Sequence, residues 1–298
     1  MKIHDVKHRP LSFRYRIVRH LRGLRRLRGW RRIANRLASS GTSGSFIVEN
    51  NGLVFQGDVS SFLEREIYLF GEYEGDLVKL FLSCIPPLRR NNILDVGANI
   101  GTHSLAFSRE FKAVHSFEPN PAVWTSFEKN MSLNAATNVT LHKIGLGASD
   151  AFQRFYSIAK ANLGLGTFSP VEQYDLPLEP MGRYEVAKGD TYLASLNIRH
   201  VDAAKIDVQG FEPNVIRGLQ CVLSESRPIV WFECGEGTQS EIRTAQNVRD
   251  LFPYPIELLR MVRSSNLLFN LGAYLDLVPD GYLLAGDYVA KPVCWPLP

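Results

Sequence analysis

The chain has 298 residues, 45% of them hydrophobic, enough for one large or two small domains around a substantial core. Its net charge of +4 conceals an uneven distribution: residues 1–36 carry 13 basic residues against a single acid, Asp5, a net +12, whereas the remainder is −8. No uncharged run reaches the ~18 residues of a membrane span, and Cys84, Cys221, Cys234 and Cys294 lack the spacing of a zinc site or disulfide frame, which with no secretory signal reads as reduced thiols in a cytosolic protein without a metal.

Residues 1–9 are polar. From Phe13 to Leu37, the residues Ile17, Leu21, Leu24, Leu27, Trp30, Ile33 and Leu37 recur at threes and fours between arginines, predicting a basic amphipathic helix. Such a helix could lie on an anionic membrane surface, bind nucleic acid, or dock on the body by its apolar stripe; an Arg-rich, acid-poor start is also what mitochondrial targeting peptides share. Of the two external partners, nucleic acid is the weaker expectation. If the helix is a separable arm, removing residues 1–40 leaves the rest folded. Ser39–Ser45 is a small-residue linker and sets the expected division: arm and linker 1–45, a lead-in over 46–92, and the main domain over 93–298. In the lead-in, Asn51-Gly52 marks a hairpin between short apolar runs. Ser60–Phe70 and Gly75–Cys84 read as helices around Gly71-Glu72-Tyr73-Glu74, where Tyr73 either roofs a ligand or packs in the core.

The main domain begins with Ile93-Leu94-Asp95-Val96, an apolar run closed by Gly97-Ala98-Asn99-Ile100-Gly101 and followed by helical spacing. Strand, glycine turn and helix in that order form the ligand-binding corner of an open α/β sheet. A dinucleotide loop needs a glycine where Asn99 stands, so a nicotinamide-dependent oxidoreductase is disfavoured. Asp95 ahead of the loop would repel a pyrophosphate but could hold an ammonium group, and D-x-G-x-N-x-G suits a nucleoside carrying an amino acid, S-adenosylmethionine. A second strand ends in Phe117-Glu118-Pro119-Asn120, with Glu118 17 residues after Gly101, the position of a ribose-binding acid. Asn120-Pro121 then caps a helix to about Asn134. A third strand runs from Val139 to Leu146, whose carboxyl end should meet the adenine. Phe152–Tyr156 reads as a short strand, and Ser157–Ala187, rich in glycine and proline, as an irregular acceptor-side flap or a surface insertion.

Ala203–Val208 is the fourth strand. It places Lys205 and Asp207 on one face, two charges that a buried strand carries only with a partner or a purpose, either a structural ion pair or catalysis. Gly210-Phe211-Glu212-Pro213 turns into a helix to about Leu223. Pro228–Glu233 is the fifth strand, with Glu233 at the cleft rim. Thr238–Leu251 reads as helix, and Glu257–Met261 with Tyr282–Val289 as an antiparallel edge pair.

D-V-G-A-N-I-G-T-H-S, F-E-P-N-P and K-I-D-V-Q-G-F-E together resemble the FkbM family of S-adenosylmethionine-dependent methyltransferases over roughly residues 60–235. Gln209 departs from that family's usual Glu. The resemblance implies a class I methyltransferase fold, Rossmann-like, with a mostly parallel sheet, an antiparallel edge and helices on both faces, and methylation of a hydroxyl oxygen. The expected cofactor set is Asp95, Gly97, Ala98, Asn99, Gly101, Glu118, Pro119, Asn120 and Leu146. Asp207 and Glu212 are the candidate bases, with Lys205 orienting Asp207; His103 is expected to cap or pack. The sequence leaves the acceptor open: the expected hydroxyl could belong to a sugar, a glycolipid, a polyketide or a small metabolite. The alternative is a non-catalytic nucleoside-binding module recruited to membrane or RNA by the basic arm.

Overall fold

Five apolar runs pair as parallel strands, and helices connect several of them, because a right-handed crossover buries one face of such a helix on the sheet. The computed structural model describes residues 11–38, 44–157, 166–171 and 177–295. The expected polar start, most of the small-residue linker (39–43) and part of the expected flap (158–165 and 172–176) lie outside the described residues.

The chain opens with α1 (Phe13–His20), a 3₁₀ segment (Leu21–Arg26) and α2 (Trp30–Ala38). The hairpin β1 (Ser45–Asn50) and β2 (Leu53–Asp58) follows, then α3 (Phe62–Phe70) and α4 (Gly75–Ser83). The first half of the main sheet is β3 (Asn92–Val96), α5 (Thr102–Ser108), β4 (Ala113–Phe117), α6 (Pro121–Leu133) and β5 (Val139–His142). Next come β6 (Gly145–Gly147), β7 (Ala151–Ser157), β8 (Gly166–Thr167), β9 (Glu179–Lys188) and α7 (Gly189–Ser195). The second half is β10 (Ala203–Ile206), α8 (Glu212–Gly218), α9 (Gln220–Ser226) and β11 (Ile229–Cys234). It finishes with α10 (Glu236–Gln239), α11 (Ala245–Arg249), β12 (Ile256–Ser265), β13 (Asn270–Leu277) and β14 (Gly286–Pro292).

The main sheet has the order β13-β12-β14-β11-β10-β3-β4-β5, parallel from β11 to β5 and antiparallel beyond. The chain steps outward from β3 to β5 and returns to β10 on the other side of β3, so the strand order reverses between β3 and β10. Ligands bind at the carboxyl ends of the strands at such a reversal. The register sets Lys205 of β10 directly beside Asp95 of β3.

Several expectations change. The third strand stops at His142, and Gly145–Gly147 joins a second, four-stranded sheet of order β6-β9-β7-β8. The carboxyl half of the expected flap is the ten-residue strand β9. Pro180 and Gly182 disguise it, and both are tolerated because they sit where the ladder with β7 shifts register between Phe155 and Tyr156. The expected edge pair is three strands, with β14 between β11 and β12, and β13 outermost. The single helix expected over 13–37 is broken at Gly29, where φ is +83°, a conformation open to glycine.

That break changes which residues are inside. Of the expected stripe only Trp30 is buried, alongside Tyr15, Val18, Ala34 and Ala38; Ile17, Leu21, Leu24, Leu27, Ile33 and Leu37 are exposed. The buried set shares one apolar cluster with Phe46, Phe55, Ile67, Ile100, Leu105 and Phe127. We propose from this shared cluster that the arm folds with the body, so removal of residues 1–40 would open a core. Among the described residues no helix is long and apolar enough to cross a membrane.

Candidate active site

The carboxyl end of β3 is followed by three left-handed residues in five: Gly97 (φ 83°), Asn99 (φ 52°) and Gly101 (φ 83°). The Gly97 and Ala98 amides donate to the Phe117 carbonyl at 3.0 and 3.1 Å, which ties this loop to the end of β4. The two glycines also make room for neighbouring protein atoms. A Cβ on Gly97 would collide with the Asp207 carbonyl oxygen, and one on Gly101 would lie 2.9 Å from the Phe127 ring.

Glu118, at the end of β4, is buried and accepts from the Asn99 amide at 2.9 Å and the Asn120 amide at 2.8 Å. Burial pushes its carboxyl up to about 7 against the pull of those amides. Each oxygen keeps a further acceptor site. Glu118, Gly97, Ala98, Asn99, Pro119 and Leu146 line one cleft at the carboxyl ends of β3 and β4. Leu146, Phe155, Phe168 and Phe211 give it an apolar wall.

Three members of the expected set stand behind this lining. Gly101 caps α5. Asn120 caps α6, accepting from the Ala122 amide at 3.0 Å. Asp95 is fully buried, with one oxygen accepting from Ser104 Oγ at 2.6 Å and the other without a hydrogen-bond partner among the described residues, 3.9 Å from Lys205 Nζ.

On the far side of the cleft, Lys205 Nζ donates to Asp207 Oδ2 at 3.0 Å. Gln209 Nε2 donates both to Asp207 Oδ1 at 2.8 Å and to Glu233 Oε2 at 2.6 Å. This amide joins two carboxylates. Burial pulls the Lys205 ammonium down, but the adjacent charges of Asp207 and Asp95 outweigh it and hold it above its ordinary range. Burial likewise works against the Asp207 carboxylate, yet Lys205 and the Gln209 amide bring it down to about 2. Glu233 is pushed well up by burial and by Asp207. Lys205 and Asp207 both line the cleft, and the Asp207 side chain keeps 26% of its surface exposed.

Glu212 does not reach the cleft. It is fully buried and accepts from the Val208 amide at 2.9 Å, the Gly210 amide at 3.0 Å and Thr238 Oγ1 at 2.5 Å. At the first residue of α8 its side chain turns back to satisfy the amides of the preceding loop, so it holds residues 208–210 in place. Burial raises it to about 7. Oxygens of Asp207, Glu212 and Glu233 lie within 4.8 Å of one another, close enough for a cation to bridge. Lys205, Gln209, Thr238 and the loop amides already meet those oxygens.

The roof is Tyr73, which lines the cleft and sits edge-on to His103. His103 is also in the lining, packed against Phe107 and Trp231, and burial keeps it neutral. Sequence reasoning passed over Glu74 and Asp287. Glu74 adopts φ 53°, lies 3.6 Å from His103 Nε2 and is raised to about 7 by burial and by Asp287. Asp287 accepts from Trp231 Nε1 at 2.8 Å. The acid-aromatic-acid run before Gly75 was the available signal for Glu74. Asp287 had none, because only the antiparallel placement of β14 beside β11 brings it opposite Glu233.

These groups fit S-adenosylmethionine: acceptor oxygens at the end of β4 for ribose hydroxyls, an apolar wall for a base, and carboxylates facing a sulfonium. A hexuronic acid methyltransferase, AglP, of Haloferax volcanii is 27% identical over 197 residues, 65% of this chain and 74% of the relative. Methyltransferase 1 of Beauveria bassiana is 30% identical over 143 residues, 43% of this chain, and the match spans 57% of that protein's length. Among solved structures, the FkbM methyltransferase of Methylobacillus flagellatus aligns with TM-score 0.39 and 15% identity over 71% of this chain and 52% of its own. An S-adenosylmethionine-dependent methyltransferase of Agrobacterium tumefaciens aligns with TM-score 0.46 and 10% identity, covering 84% and 70%. Residues 95–258 match the methyltransferase FkbM domain, from the buried aspartate of β3 into β12, and the chain belongs to this family of S-adenosylmethionine-dependent methyltransferases.

Proposed function

We propose that the protein methylates a hydroxyl oxygen on a sugar, glycolipid or small metabolite. The observation that carries this reading is Asp207, a carboxylate held ionised by Lys205 and Gln209 yet open to the cleft. S-adenosylmethionine supplies the methyl group on a sulfonium, a good leaving group, so the protein's task is largely alignment, worth about 7–11 kcal/mol of barrier. Asp207 accepts a hydrogen bond from the acceptor hydroxyl and orients its oxygen. It then takes the proton that the new ether oxygen sheds. A carboxylate with its pKa near 2 is a weak base, but a protonated ether is far more acidic than a carboxylic acid, so the transfer runs downhill. Lys205 stays protonated throughout and keeps Asp207 in place.

The rim bears on the acceptor's charge. Glu74, Glu233 and Asp287 surround Asp207, and each is raised by burial and by its neighbours' charge, so another anion there is disfavoured. A neutral hydroxyl-bearing acceptor fits better than one presenting a carboxylate, such as the hexuronic acid in the archaeal relative's name. The test uses a radiolabelled methyl donor against neutral hexosides, glycolipids, small alcohols and uronates. Asp207→Asn should lower turnover by about 10²–10⁴-fold while calorimetry shows donor affinity within a few-fold of the parent. Transfer only to uronates, or full turnover in Asp207→Asn, would overturn the reading.

A further inference from the structure

The exposed apolar residues of the arm do not stand alone. Residues 25–28 lie against the tip of the β12–β13 hairpin: Arg28 N donates to the Leu268 carbonyl at 2.8 Å, Asn270 Nδ2 donates to the Arg25 carbonyl at 2.9 Å, and Leu27 pairs with Phe269 as an isolated bridge. At that tip Leu267, Leu268 and Leu271 are 85%, 62% and 62% exposed. Leu21, Leu24 and Leu27 are exposed on the adjoining 3₁₀ segment and turn. Two segments some 240 residues apart in sequence therefore bring exposed apolar residues to adjoining places in the fold. Single exposed leucines are ordinary, but a joined set marks an interaction site.

The charge on this surface identifies its partner. Its opposite side is fixed to the body: Arg19 bonds the Tyr68 carbonyl at 2.7 Å, Arg25 the Phe70 carbonyl at 2.6 Å, and Arg31 the Glu66 carboxylate at 2.9 Å. Arg26 and Arg32 are exposed and make no ion pair with a carboxylate among the described residues. Basic heads interleaved with leucines suit the boundary between anionic headgroups and acyl chains. Nucleic acid would meet the arginines and leave the leucines in water.

We infer that the arm and the β12–β13 tip form one docking surface for an anionic lipid bilayer. The surface also holds the roof of the cleft from both sides. Arg25 lies 3.5 Å from Glu72, and Arg263 of β12 bonds Asp76 at 2.9 Å and Glu74 at 3.4 Å, so the Tyr73 loop is braced between the two docking segments. Docking thus brings the cleft mouth to the lipid interface, where a membrane-borne hydroxyl can enter. The inference goes beyond the proposed methylation and does not depend on it.

The test is sedimentation of the full chain with vesicles of phosphatidylcholine alone or mixed with phosphatidylserine. Binding should require phosphatidylserine and be released at high salt. Arg26→Gln with Arg32→Gln should weaken binding about 30-fold, about fivefold per charge. Leu267→Ser with Leu268→Ser and Leu271→Ser should weaken it while leaving the salt dependence in place. All five positions are exposed, so both variants should keep the parent's thermal transition and donor affinity. Three results would overturn the inference: no binding to phosphatidylserine vesicles at low salt, parent-like binding by the leucine variant, or tighter binding to tRNA or a mixed-sequence oligonucleotide than to vesicles at the same ionic strength.

Discussion

Replacing Lys205 with Met tests how much the buried charge cluster contributes to stability. The ammonium lies 3.0 Å from Asp207 and 3.9 Å from Asp95 and is almost wholly buried. With an effective dielectric constant of about 20, those separations give attractions of about 5.5 and 4.3 kcal/mol. Desolvation of the three groups offsets most of this. What the substitution exposes is different: it leaves Asp95, fully buried, and Asp207 as like charges with no cation between them. Breaking a buried pair from one side costs about 3–5 kcal/mol, which for a chain of this size lowers the thermal midpoint by about 10 °C. In the parent, Asp207 is depressed to about 2 from an ordinary 3.8, so its stabilisation is complete above about pH 4 and is lost as pH falls through about 2. The deficit of Lys205→Met should therefore be largest near neutrality and shrink over that acidic window. Adding Asp207→Asn to Lys205→Met should recover part of it. Scanning calorimetry and urea unfolding from pH 2 to 8 read all of this. A Lys205→Met protein within about 1 kcal/mol of the parent at pH 7 would refute the reasoning.

Two further outcomes follow from buried carboxylates. We propose that Glu118 accepts the two ribose hydroxyls, which requires it to be ionised; burial holds it near 7 from an ordinary 4.5, so donor affinity should rise as pH increases through about 7; titration calorimetry of Glu118→Gln should show weaker binding, at least about tenfold, with that pH dependence gone, and an unchanged pH profile would remove the ribose assignment. Glu212→Ala leaves the Val208 and Gly210 amides buried without an acceptor, each worth about 1–3 kcal/mol, and should lower the melting temperature while keeping more activity per folded molecule than Asp207→Asn; the reverse ranking would return Glu212 to the chemistry.

The parallel core was legible because its signals are local. Ile93–Val96, Val114–Phe117 and Ala203–Ile206 are apolar runs bounded by turns, and Asn120-Pro121 caps a helix where its chemistry says it should. What stayed hidden depends on partners far away in sequence. β9 became visible only through β7, because Pro180 and Gly182 break its alternation. β13 has no buried residue, so no hydrophobic pattern announces it. At the site, strand alternation correctly joined Lys205 to Asp207, but spacing could not say that Glu212 turns backward to its own loop. The arm's amphipathic pattern was real, yet once Gly29 broke the helix the body took up Tyr15, Val18, Ala34 and Ala38 and left most of the leucines outside. The bridging role of Gln209 needed β11 beside β10, which motif spacing does not encode.

The contact between Gly97 and the Asp207 carbonyl has a bearing on how such an enzyme can be remodelled. On the proposed reading one of these loops faces the donor and the other the acceptor, and they touch backbone to backbone, with no side chain between them to absorb a displacement. A change that re-aims Asp207 toward a new acceptor through its main chain also moves Gly97, and with it the Asn99 amide held by Glu118. New acceptor preferences are therefore more accessible from the elements around these loops, the Tyr73 roof, the second sheet and the rim of β14, than from the K-I-D-V-Q-G turn itself. Variation among relatives should concentrate in those surrounding elements while the two touching loops change together or not at all.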